Sequence, residues 1–205
     1  MYYYKIYLKL KNQGGIVMKK NLGVCPAIFP MPVLMVGTYD GEGKVDVMNA
    51  AWGMMLDMKR VVLNLTETHK TVKNIKEKRF FTVGIADVDH IVEADYLGIV
   101  SGNNEPNKFE KSGLHSTKSE FVDAPVIEEF PVTMECKFVE YQDDEYGCGV
   151  VGEIVNVIAD EKVLDENGKV DAGRINAIMY DPFTHGYYKV GEKVGQAFSD
   201  GNKLK

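Results

Sequence analysis

Short apolar stretches separated by glycine- and aspartate-rich turns, with few segments of helical period, predict a mainly β chain with helical additions, built as a barrel. Two stretches carry that expectation. Val132, Met134, Cys136 and Phe138 alternate with Thr133, Glu135 and Lys137, the pattern of a strand with one core face. Val150–Ala159 is apolar on both faces: Val151, Val155 and Val157 on one, Val150, Ile154 and Ile158 on the other. Such a strand belongs in a sheet centre or beneath a partner subunit. With 205 residues, 45% of them hydrophobic, the chain supports one well-buried core.

The elements follow in order. Residues 1–17, rich in Tyr and Lys, differ from the rest and are read as a non-native or disordered extension. Translation is then expected to start at Met18, and 18–205 forms a single domain. The competing reading is an edge strand over Tyr2 to Leu10. Pro30-Met31-Pro32 forces an extended entry. Val33–Tyr39 and Val45–Ala51 read as a hairpin around Asp40-Gly41-Glu42-Gly43, and Arg60–Thr66 as a third strand. Thr68 is placed as an N-cap, with Val72 and Ile75 marking the buried face of a helix ending near Lys78. Phe80–Ala86 is a strand, and Asp87 is expected to cap a helix carrying Val88, Ile91 and Val92. Residues 99–119 form a long irregular loop. Glu166-Asn167-Gly168 is a turn, Arg174–Met179 a short helix and Tyr187–Val190 a last strand.

Charge and cysteine content exclude several classes. A formal net charge of −6 argues against nucleic acid or an anionic membrane as the main partner. A phosphate-bearing ligand must then be caught by a local cluster of donors. Three cysteines at no metal-ligand spacing suit a reducing cytosol, and the scattered histidines argue against a metal site. No apolar run is long enough to cross a membrane, so the expected location is the cytoplasm. Cys148, between Gly147 and Gly149, reads as a small residue at a bend or strand start, with redox reactivity the alternative.

Two segments stand out for chemistry. Thr66-Glu67-Thr68-His69-Lys70-Thr71 lies at a strand-to-helix junction, where unpaired N–H groups and the helix dipole favour an anion. Hydroxyls of Thr66, Thr68 and Thr71 with donors from His69 and Lys70 make a phosphate seat; ordinary helix capping is the alternative. In Met48-Asn49-Ala50-Ala51-Trp52-Gly53, small residues beside the sole Trp let a flat ligand lie against backbone. Asn49 would bond a heterocycle, although simple core packing accounts for the same pattern. Lys108, in the irregular loop, reads as an anion contact or as a solvated charge.

The order Pro32-Val33, Asp40-Gly41, Asn49-Ala50-Ala51-Trp52 and Thr68-His69-Lys70-Thr71-Val72-Lys73-Asn74-Ile75 resembles the flavin reductase-like family of FMN-binding split barrels. So do Gly98–Gly102, Asn107–Leu114, Tyr187–Gly191 and Val194–Phe198, so the resemblance spans roughly residues 25–200. It implies a six-stranded Greek-key split β-barrel, a homodimer, and FMN near the subunit interface. By that resemblance Asn49, Ala50, Ala51 and Trp52 line the flavin ring, and Thr66, His69, Lys70 and Thr71 take the phosphate. Ser101, Gly102 and Lys108 approach from the long loop. His69 and Lys70 stand where many relatives carry arginine and a hydroxyl residue, which weakens the case for a bidentate phosphate grip.

The expected activity is that of an oxidoreductase in which NADH or NADPH reduces FMN, which passes electrons to free flavin, a redox protein or another acceptor. No catalytic side chain is then required, because the flavin carries the chemistry. The alternatives are a flavoredoxin-type electron carrier, a pyridoxamine-phosphate-oxidase-like barrel and a barrel without ligand. The third lacks an arginine pair for a second phosphate, since Arg60, Arg79 and Arg174 are the only arginines.

Overall fold

The computed structural model describes residues 7–9, 16–144 and 147–205. Strand β1 (Tyr7–Lys9) pairs antiparallel with β2 (Ile16–Met18); the rest of the expected N-terminal extension lies outside the described residues. The chain then runs through β3 (Met31–Pro32), β4 (Leu34–Tyr39), β5 (Val45–Ala50), β6 (Gly53–Met55) and β7 (Arg60–Asn64). Helix α1 (Lys70–Lys78), β8 (Phe80–Ile85), α2 (Ile91–Ile99) and α3 (Lys108–Ser112) follow. Strands β9 (Ser116–Lys118), β10 (Pro125–Ile127), β11 (Val132–Asp144), β12 (Gly147–Ala159), β13 (Ile178–Asp181) and β14 (Gly186–Lys189) complete it.

The main sheet is antiparallel, in the order β5-β4-β8-β11-β12-β7-β6. Its edge strands, β5 and β6, are separated in sequence by Ala51 and Trp52 alone. Laid flat, seven strands would hold the edges about 29 Å apart, whereas three peptide steps span at most about 11 Å. The sheet must therefore curl until its edges meet. Gly53 shows the closure: a Cβ there would fall 2.6 Å from Leu34 Cδ1 on β4 and 2.7 Å from Leu63 Cδ2 on β7. The expected six strands become seven because one barrel stave bends at Ala51-Trp52 and divides into β5 and β6.

Strand β4 is buried on both faces and separates two cores. Leu34 and Val36 join Leu63, Val72, Ile75, Phe81 and Val150 inside the barrel. Val33 and Met35 join Leu97, Phe109, Ile127 and Phe130 beneath α2 and α3. Truncating a wholly buried ring such as Phe81 costs about 3–5 kcal/mol, so this double core holds the surrounding walls in place. The β4–β5 turn is fixed by Asp40 Oδ1, which accepts from the N–H groups of Glu42 at 3.0 Å and Lys44 at 2.9 Å.

Several expectations change. Arg174–Met179 is not helical. Asn176 takes φ +60°, its carbonyl accepts from Val88 N–H, and Ile178 N–H bonds Ala86, so pairing with the 86–88 segment replaces the helix. Helix α1 starts after His69, because a turn from His69 N–H to the Thr66 carbonyl comes first; Thr68 is not its cap. Asp87 acts one step early, its Oδ1 accepting from His90 N–H at 3.1 Å before α2 begins, and Val92 is exposed. The loop 99–119 contains α3 and β9. In β12, Val150 and Val151 are buried, but Val155, Val157 and Ile158 remain open in the single chain. Cys148 lies at the start of β12, as the strand-start reading expects.

Candidate functional site

The bend that closes the barrel opens a cleft of about 290 Å³. It is lined by Met48–Trp52 from the β5–β6 bend, Asn64 and Leu65 at the end of β7, and His69 before α1; Asp95, Gly98 and Ile99 of α2 and the rings of Tyr180 and Tyr187 complete it. Hollows of about 350 and 580 Å³ elsewhere gather none of the expected residues. The chemistry therefore singles out the smaller cleft.

One end of this cleft is flat and built from main chain and rings. Trp52 is held by its carbonyl, which accepts from Asn64 N–H at 2.8 Å, while its ring stays half exposed. Tyr180 and Tyr187 are cross-strand partners on β13 and β14, with ring centroids 6.2 Å apart, and Tyr180 lies 6.2 Å from Trp52. Asn49 Nδ2 donates to the Ala94 carbonyl at 3.1 Å and so ties β5 to α2. The Tyr187 hydroxyl donates to Asp95 Oδ1 at 2.8 Å. Burial, followed by that carboxylate, pushes Tyr187 up to about 12, so it stays a neutral donor.

The other end is the start of α1. No side chain caps this helix, and its first intrahelical bond runs from Lys73 N–H to the His69 carbonyl at 3.2 Å. The N–H groups of Lys70, Thr71 and Val72 therefore have no partner within the helix. The Nδ1 atom of His69 is buried with no hydrogen-bond partner. Burial, and then the charge of Lys108, hold His69 below the ordinary imidazole range. A buried ring nitrogen without a partner is costly unless a ligand supplies one.

The expected site residues divide accordingly. Asn49, Ala50, Ala51, Trp52 and His69 line the cleft together. Thr66 is exposed beside them. Ser101 and Gly102 come against the start of α1: a Cβ on Gly102 would meet Asp46 Oδ1 at 2.5 Å and Lys70 Cγ at 3.2 Å. Asn103 ties the same loop down, its Nδ2 donating to the Thr68 carbonyl at 3.0 Å. Lys70 leans away toward Asp40, 3.7 Å from its carboxylate.

Thr71 and Lys108 stand behind the cleft wall, not on its surface. The Thr71 hydroxyl donates to Asp46 Oδ2 at 2.5 Å, and the residue is buried. Lys108 is 3% exposed; its ammonium donates to the Leu97 and Val100 carbonyls, each at 3.2 Å, and lies 3.6 Å from Asp46 Oδ1. The solvated-charge reading of Lys108 fails: it closes the C-terminal end of α2 and pairs with Asp46. Asp46, Asp95, Tyr180 and Tyr187 are the residues that sequence reasoning missed. Asp46 offered one signal, a carboxylate set among the apolar residues of a strand.

Comparison with known proteins agrees with this architecture. The flavin reductase like domain matches residues 27–181. The flavoredoxin of Desulfovibrio vulgaris (Miyazaki F) is 35% identical, with a TM-score of 0.85 over 90% of this chain and 100% of that one. Flavoredoxin from Methanosarcina acetivorans is 25% identical, with a TM-score of 0.81 over 91% of this chain and 100% of that one. The FMN-binding domain of a flavin reductases-like enzyme from Shewanella baltica OS155 shares the fold, at 20% identity and a TM-score of 0.69, over 80% and 88% of the two chains. With a match across most of its length and a sheet curled shut at Ala51-Trp52, the chain belongs to the flavin reductase-like domain family and has its split-barrel fold.

Proposed function

We propose that the protein binds FMN in this cleft and acts as an oxidoreductase, taking electrons from NADH or NADPH and passing them to free flavin or another acceptor. One observation carries the reading: a flat wall of backbone and rings leads directly to an uncapped helix start where His69 Nδ1 is buried without a partner. These residues fit the cofactor. The main chain at Ala50 and Ala51 would back the ring system, with Trp52, Tyr180 and Tyr187 at its rim. The free N–H groups of α1 and the imidazole of His69 would hold the phosphate, with Thr66, Ser101 and Gly102 beside them. Bound FMN supplies the hydride and single-electron chemistry. The chain's own part is to orient the ring, keep water from one face and leave the other open to a partner. Tyr187, kept protonated by burial and fixed by its hydrogen bond to Asp95, stands at the rim as a neutral hydroxyl.

The test is direct. Purified protein should be yellow or take up FMN stoichiometrically, and NADH or NADPH should bleach the flavin band anaerobically, with turnover of added FMN. Protein that takes up no flavin overturns the proposal. A second reading, a carrier that keeps its FMN and exchanges electrons with a redox protein, is favoured by the 35% identity to a flavoredoxin. Tight FMN that neither nucleotide bleaches would select it.

We also propose a homodimer. Val139 and Val155 are 41% and 44% exposed on neighbouring strands β11 and β12, an apolar strip that a second copy would cover. Light scattering should give twice the 22.9 kDa chain mass; a monomer would leave the strip without that partner. No helix among the described residues is long and apolar enough to cross a membrane.

A further inference from the structure

The cleft walls are joined from behind by charged groups that touch nothing inside it. Lys108 bonds the Leu97 and Val100 carbonyls at the C-terminal end of α2, whose Gly98 and Ile99 form one wall. It also faces Asp46, which accepts the Thr71 hydroxyl on the first turn of α1, close behind His69 of the cleft lining. Asp46 is 6% exposed and Lys108 3% exposed. A buried carboxylate is therefore fixed against the turn proposed to receive a phosphate. Left alone, it would oppose that anion, since charges are weakly screened at such sites. Gly102 makes the arrangement tight, because any side chain there would collide with Asp46.

We propose that Lys108 and Asp46 form a charge-balancing pair behind the phosphate seat, with Lys108 cancelling Asp46 so that the start of α1 stays receptive to a phosphorylated flavin. The inference rests on the FMN reading above and deepens it. Both are positioning residues, acting through Thr71 and the helix start. The field of Lys108 reaches this end of the cleft, since it helps hold His69 below its ordinary range. A purely structural role would disturb any flavin alike. A charge-balancing role depends on the phosphate and gives the two single variants opposite signs.

The experiment measures FMN and riboflavin affinity by flavin fluorescence at pH 8 for the full chain and three variants. Lys108→Met should weaken FMN about tenfold, Asp46→Asn should tighten it severalfold, and the double variant should return near the parent. Riboflavin should stay within about twofold throughout, and the differences should shrink in high salt. Equal losses for both flavins, or FMN affinity lowered by both single changes, would overturn the pair's role. Should Lys108→Met fold poorly, Asp46→Asn decides alone, because an amide oxygen keeps the Thr71 bond: tighter FMN supports the inference, and unchanged or weaker FMN removes it. A parent protein that binds neither flavin would instead overturn the FMN reading itself.

Discussion

The two ends of the cleft are built on opposite principles. The ring end consists of main chain and aromatic rings carried on paired strands, and several of its polar groups already have partners: Asn49 Nδ2 in Ala94, the Tyr187 hydroxyl in Asp95, the Trp52 carbonyl in Asn64. The helix end keeps groups in reserve, namely uncapped N–H groups and a buried His69 nitrogen. On the FMN reading, the first end would select by shape and the second by charge. Rigid sheet edges hold a shape well, while a helix start concentrates donors at one point.

The largest effect is expected from filling the flat end of the cleft. Ala51→Phe should reduce flavin binding by more than about a hundredfold, because the cleft measures only about 290 Å³. Circular dichroism should show the barrel retained. Affinity within tenfold of the parent would move the ring elsewhere.

Thr71→Val comes next, and it should act first on stability. It takes the hydroxyl donor from buried Asp46, a loss of about 1–3 kcal/mol by denaturant titration. Stability within a few tenths of the parent would show that the bond is dispensable. His69→Ala should do the reverse, weakening FMN about tenfold with little loss of stability, because its Nδ1 has no partner in the protein. An unchanged dissociation constant in titration calorimetry would take His69 out of the phosphate seat.

The smallest effect is a pH dependence. Burial lowers His69 in the fold, so below the ordinary imidazole value the unfolded chain binds more protons and stability falls with pH. The stabilising contribution is present above that value and is lost as pH drops toward 5. Exposed His115, raised by its hydrogen bond to Glu129, has the opposite sign. Comparing thermal midpoints of the parent and His69→Gln therefore isolates the term: the variant should lose less between pH 7 and 5. Parallel curves would show that His69 is not neutralised by folding.

Much of the site was legible in sequence because its two segments are local. Small residues beside the sole Trp describe a flat surface, and hydroxyls before a lysine-rich helix describe an anion seat. Patterns of that kind depend on neighbours along the chain. The direction in which a side chain leaves the backbone does not, and there the expectations diverged. Lys70, Thr71 and Lys108 carry suitable chemistry, yet Asp40 and Asp46 draw them aside or inward. Both partners lie more than twenty residues away in sequence. Tyr180 and Tyr187 reach the cleft through pairing of β13 with β14 and β3, which no local pattern announces.

Strands β4, β5, β7, β8, β11, β12 and β14, the β4–β5 hairpin, the helix that opens within Thr66–Thr71 and the composition of both cleft segments were readable in the sequence alone, since these follow from periodicity and turn chemistry. Tertiary structure decided that β5 and β6 meet across a two-residue bend, that Tyr180 and Tyr187 complete the ring wall, and that Lys108 serves Asp46 from behind. Those outcomes depend on which distant strands share hydrogen bonds and on where a buried charge finds its counterion. Long-range pairing and burial set both.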